Sequence, residues 1–64
     1  MPTIRVEMFE GRTPEQKKNL VKALTDAVVE TLGGKPDSVD VILYDIKKSD
    51  WATGGELWSE KKQP

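Results

Sequence analysis

The chain has 64 residues, with 10 basic and 11 acidic side chains and a formal net charge of −1. A chain this short holds one domain, expected over residues 1–64, and buries too little apolar surface to be comfortably stable alone. With no Cys and no His, disulfide staples are excluded and a zinc site is disfavoured, so assembly with further copies is the expected support.

Residues Thr3 to Phe9 alternate, with Ile4, Val6 and Met8 apolar and Thr3, Arg5 and Glu7 polar. A period of two predicts a strand. Glu10-Gly11-Arg12 interrupts it. Thr13-Pro14-Glu15-Gln16 then reads as a helix start. Thr13 caps, Pro14 suits the first helical position and Gln16 completes a capping box. Leu20, Val21, Leu24, Ala27, Val28 and Leu32 follow at helical spacing and are expected to face a sheet. Lys17, Lys18, Lys22, Asp26 and Glu30 are expected to face water. Gly33-Gly34 stops the helix.

Pro36-Asp37-Ser38 reads as a turn, and Val39 to Ile46 as a second strand rich in branched residues. Strand, long helix and strand make a right-handed crossover, which leaves the two strands parallel. From Lys47 the pattern loosens. Trp51, Gly54-Gly55 and Trp58 suggest a short hairpin or a turn that docks on a neighbour, and 61–64 a frayed tail. The predicted class is α+β: a β-α-β subunit with a short C-terminal hairpin. Pairing a second copy along an open strand edge would give a four-stranded sheet with two helices.

The mixed charge pattern lacks the basic stripe of a nucleic-acid binder. No apolar run is long enough to span a bilayer, and the N-terminus lacks an apolar signal core. The expected location is the cytoplasm, with neither nucleic acid nor membrane as partner.

Met1-Pro2 is the chemically informative start. Removal of Met1 would free the secondary amine of Pro2. An unperturbed α-amino group titrates near about 7.7–8.0. Burial or a nearby cation lowers that value, so the amine could accept a proton from carbon or attack a carbonyl. Taken alone, the dipeptide reads more readily as a leader residue with no role.

The segments Met8-Phe9-Glu10-Gly11-Arg12-Thr13-Pro14-Glu15-Gln16-Lys17, Ser38-Val39-Asp40-Val41-Ile42 and Trp51-Ala52-Thr53-Gly54-Gly55-Glu56-Leu57 add context. With them the chain resembles the 4-oxalocrotonate tautomerase family over nearly its whole length. The resemblance implies a β-α-β subunit, a dimer with a four-stranded sheet and a homohexamer built as a trimer of dimers. It also implies no cofactor, no metal and a small carboxylate substrate. By the same resemblance, Pro2 is the catalytic base, which moves a proton in an enol or dienol acid. Arg12 binds a substrate carboxylate, for which an arginine fork is well suited. Trp51 lines the pocket.

One position departs from the family. Classical members carry a second arginine where this chain has Asp40, so the charge is reversed where electron density accumulates in the transition state. Three accounts are open. Asp40 could be structural, paired with Arg5 or a lysine. It could face the pocket, hold Pro2 protonated as a general acid and handle water, as in hydratase, dehalogenase or decarboxylase chemistry. Or another cation, such as Arg5 of a neighbouring copy, could replace the missing arginine. A reading of a different class is a non-catalytic oligomer that binds small acids on the same scaffold.

Overall fold

The computed structural model describes residues 2–61. Strand β1 runs Thr3–Phe9, helix α1 Pro14–Leu32 and strand β2 Asp40–Ile46. The strands β1 and β2 pair in parallel with Thr3 opposite Asp40 and Phe9 opposite Ile46. A strand, a crossover helix and a parallel strand are the architecture that the alternation and helical spacing predict. Only the start of β2 differs, because Val39 closes a preceding 3₁₀ turn at Pro36–Ser38 with a 3.0 Å bond from its N–H to the Pro36 carbonyl.

The helix begins where its sequence dictates. The Thr13 hydroxyl accepts the Gln16 N–H at 3.1 Å, and the Gln16 side chain accepts the Thr13 N–H at 2.9 Å. Two backbone donors that would otherwise lack partners are thus satisfied. Gly33 ends the helix with φ 81°, and its N–H donates to the Val29 carbonyl at 3.0 Å.

Side-chain alternation divides the sheet into two faces. Ile4, Val6 and Met8 share a face with Val41, Leu43 and Asp45. This is the helix face, because Asp45 forms an ion pair with Lys17 of α1. Lys17, expected to face water, is therefore half-buried instead: one turn into the helix it points back over the sheet. Leu20, Val21, Leu24 and Val28 are half-buried on the same stripe, joined by Thr25 and Val29. Ala27 and Leu32 do not follow the expected stripe. Ala27 is exposed, and Leu32 is 74% exposed at the last turn, where the chain supplies nothing to cover it.

A short antiparallel hairpin follows, β3 at Ala52–Thr53 and β4 at Glu56–Leu57. Gly54 and Gly55 form its two-residue turn with φ 64° and 83°, the left-handed values that this tight turn demands of both central residues. Lys61, expected to belong to a frayed tail, is held instead. Its ammonium lies 3.4 Å from the Glu56 carboxylate and 4.8 Å from the centre of the Trp58 ring. The rest of that expected tail, 62–64, lies outside the described residues, as does Met1.

What the chain lacks is a core of its own. Among the described residues none is fully buried. The radius of gyration is 15.1 Å, against about 11 Å for a compact domain of this length. The accessible surface is 5184 Å², against about 4100 Å² for a compact chain of this mass. Ile42 and Tyr44 stand 39% and 41% exposed on the sheet face away from the helix. One helix covers one face of a two-stranded sheet; the other face is covered only at its Phe9 end, by Trp51 and Trp58.

Candidate active site

Pro2 precedes β1, and its backbone is fixed by the sheet. Its carbonyl accepts the Asp40 N–H at 2.9 Å, which extends the parallel ladder by one bond. Pro2 is half-buried. The same bond, with the Thr3–Asp40 register, sets Asp40 beside Pro2 at this end of the sheet. The Asp40 side chain is exposed and, among the described residues, makes no ion pair. Among the described residues of one chain, the structural pairing with Arg5 or a lysine is not made.

Arg12 lies at the other end. The Glu10 N–H donates to the Ile46 carbonyl at 2.9 Å and closes the ladder. Gly11 then turns the chain with φ 112° toward the helix cap at Thr13. Arg12, on this turn, lines a cleft of about 220 Å³ with Met8, Gln16, Lys17 and Leu20. Met8 and Leu20 provide apolar wall. Lys17 is neutralised by Asp45, whereas among the described residues no carboxylate pairs with Arg12. A cation at a helix N-terminus gains nothing from the helix dipole, so its charge is available for an external anion.

Trp51 also lies at this end, but on the opposite face. It lines a second cleft, of about 250 Å³, with Glu7, Ile46, Asp50 and Ala52. Glu7 and Ile46 alternate with Met8 and Asp45 and so belong to the face away from the helix. The sheet therefore separates the Trp51 cleft from the Arg12 cleft. Pro2 is distant from both: seven residues of strand at about 3.3 Å each place it about 23 Å from Phe9. The four residues read from the sequence fall in three places: Pro2 with Asp40, Arg12, and Trp51. No single chain brings the three groups together.

Two further rings join Trp51: Phe9, given no role by the sequence pattern, and Trp58, expected in a hairpin or a turn that docks on a neighbour. The Phe9 ring lies 4.7 Å from the Trp51 ring, centre to centre, and 5.5 Å from that of Trp58. The Trp58 indole N–H donates to the Thr53 hydroxyl at 2.9 Å, and its backbone N–H to the Trp51 carbonyl at 2.8 Å. The signal was the break in alternation at Met8-Phe9, where adjacent apolar residues serve opposite faces. Among the described residues, no group of three or more carboxylates is placed to hold a metal ion. No helix there is long and apolar enough to cross a membrane.

Comparison with known proteins bears on the family and the fold. A family model described as "Tautomerase enzyme" matches residues 2–61. The chain is 42% identical over 60 residues to 2-hydroxymuconate tautomerase of Bacillus subtilis strain 168, covering 94% of this chain and 97% of that protein. Among solved structures it is similar to YwhB, a homologue of 4-oxalocrotonate tautomerase. The TM-score is 0.90 at 39% identity, over 95% of this chain and 100% of the other. A 4-oxalocrotonate tautomerase from Chloroflexus aurantiacus J-10-fl, a heterohexamer, matches with a TM-score of 0.89 at 31% identity, over 97% and 100% of the two chains. With its parallel β-α-β frame, its C-terminal hairpin and full-length identity at this level, the chain belongs to the tautomerase family of enzymes.

Proposed function

We propose that the protein isomerises a small enol or dienol carboxylic acid in the cytoplasm, with the amine of Pro2 as general base after removal of Met1. The neutral amine takes the enol hydroxyl proton, the electron pair moves through the conjugated system as the carbonyl forms, and the ammonium returns a proton to carbon. One O–H bond is lost, one C–H bond is gained, and no cofactor enters the balance.

The observation that carries this reading is Arg12. It is a guanidinium that meets no anion among the described residues and lies beside an apolar-walled cleft, which suits a carboxylate attached to a carbon chain. Because the sheet and its length separate Pro2, Arg12 and Trp51, the site forms between copies: the Pro2 end of one chain meets the Arg12 and Trp51 end of others. The exposed Ile42, Tyr44 and Leu32 and the open sheet edges give such copies surface to bury. A homohexamer assembled as a trimer of dimers fits that need, and the heterohexamer of Chloroflexus aurantiacus supports it.

The test is ketonisation of 2-hydroxymuconate and phenylenolpyruvate by the native protein and by Pro2→Ala, with intact mass measured on both. Loss of activity in a correctly assembled variant supports the amine as base. Full activity in Pro2→Ala, or in protein that retains Met1, removes it.

A second reading is favoured by one observation: the ladder bond and register set Asp40 next to Pro2. If its carboxylate reaches the amine, protonated Pro2 serves as a general acid and Asp40 activates water, which suits hydration, dehalogenation or decarboxylation. Removing that charge destabilises the ammonium, so Asp40→Asn lowers the pKa of the Pro2 nitrogen in an NMR titration. An unmoved pKa sinks this second reading and leaves the base mechanism standing.

A further inference from the structure

Trp51 has its carbonyl held by the Trp58 N–H at 2.8 Å. It follows a 3₁₀ turn at Lys48–Asp50 and precedes a hairpin whose strands are two residues each. Its backbone N–H makes a long bond, 3.4 Å, to the Lys48 carbonyl. Its indole is placed against the sheet by an aromatic side chain of β1. The Phe9 ring meets it at 4.7 Å with 60° between the planes, the tilted geometry that aromatic pairs prefer.

Phe9 is itself held from both directions. Trp58 packs against it edge-on at 5.5 Å, and the ammonium of Lys48 lies 5.7 Å from its ring centre. Trp58 is pinned in turn by its bond to Thr53 and by the Lys61 ammonium over its ring. The backbone under Phe9 is the last pair of the parallel register, opposite Ile46. Phe9 thus connects the parallel sheet to the indole that precedes the hairpin.

From this geometry we propose that Phe9 is a positioning residue: it fixes the plane of Trp51 so that the indole forms a rigid wall of the substrate site. The proposal rests on the reading of Trp51 as part of that site. A wall of fixed orientation favours flat, conjugated acids that can lie against it, such as aryl-substituted enol acids.

The test is a double-mutant cycle between Phe9 and Trp51, read as KM and kcat for phenylenolpyruvate, with assembly checked by size-exclusion chromatography. Phe9→Leu keeps apolar volume and removes the ring. It raises KM about 2- to 10-fold, the range expected from one lost aromatic contact, with kcat changed less than about twofold. Phe9→Tyr restores the native KM. In a Trp51→Leu background, Phe9→Leu adds nothing further, because the group it positions is gone. If Phe9→Leu does not assemble, Phe9→Met carries the same cycle.

An unchanged KM in the single variant overturns the proposal. So does a Phe9 penalty that persists in full without Trp51, or a fall in kcat at constant KM. If Trp51→Leu itself leaves KM unchanged, the failure lies one step earlier, in the placement of Trp51 at the site, and the proposal falls with it.

Discussion

The two ends of the β1–β2 sheet are built differently. At the Pro2 end the chain offers a half-buried ring, one ladder bond from Asp40 and an exposed carboxylate that meets no cation among the described residues. At the Phe9 end it gathers a helix cap, an arginine that pairs with no carboxylate among the described residues, an ion pair from helix to sheet and a cluster of three aromatic rings. One end presents a candidate base with few fixed neighbours. The other presents clefts and charge without that base. Each has what the other lacks, and about 23 Å of strand lies between them. A chain built this way gains by placing its own ends against those of other copies. The same association covers the apolar surface that the chain leaves open.

The largest test of this comparison strikes the Pro2 end. Pro2→Ala reduces ketonisation by about 10²- to 10⁴-fold, the share usually supplied by a general base, without changing the assembly seen by size-exclusion chromatography. Next comes the other end. Arg12→Ala reduces kcat/KM for a carboxylate substrate by about 10- to 100-fold through loss of a charge-assisted bond, and less for a neutral analogue. A uniform loss for both would detach Arg12 from carboxylate binding.

Smaller effects sharpen the contrast in stability. Thr13→Ala removes a cap that makes reciprocal bonds with Gln16 and costs about 1 kcal/mol, read as a lower urea midpoint at fixed protein concentration. Lys22→Ala breaks an ion pair with Asp26 that lies 2.8 Å across in solvent, with 75% and 59% of the two side chains exposed. It shifts the same midpoint by an amount equivalent to less than about 0.5 kcal/mol. A larger shift for Lys22 than for Thr13 would mean that this helix face is covered in the assembly.

Local structure was legible where a residue acts through its own backbone. The capping box from Thr13 to Gln16, the stop at Gly33 and the Gly54-Gly55 turn each fix conformation within a few residues, and each stands where the sequence places it. The alternation of β1 likewise predicted the helix-facing residues Ile4, Val6 and Met8. Tertiary placement was less legible. Lys17 reads as a solvent residue until Asp45 is seen beneath it, and that pair joins elements 28 positions apart. Lys61 reads as tail until Glu56 and the Trp58 ring are seen to hold it. Of the site, the residue types were read from motifs, but their separation was not. Arg12 and Trp51 stand near the same end of the sheet, yet neighbouring positions of one strand face opposite ways, and only the register assigns each to its face.

The claim that the site is shared between copies is tested most directly by complementation. Pro2→Ala and Arg12→Ala chains, each strongly impaired, are unfolded together, refolded as mixed oligomers and assayed on 2-hydroxymuconate. Mixed assemblies contain sites that draw Pro2 from one chain and Arg12 from another. Activity then returns to about a quarter of the native value, the statistical share for a site formed by two copies. Separately refolded and then mixed variants show no more than the average of their own residual activities. If the co-refolded mixture forms mixed oligomers and yet shows no more activity than its parents, Pro2 and Arg12 act within one chain, and the account is wrong.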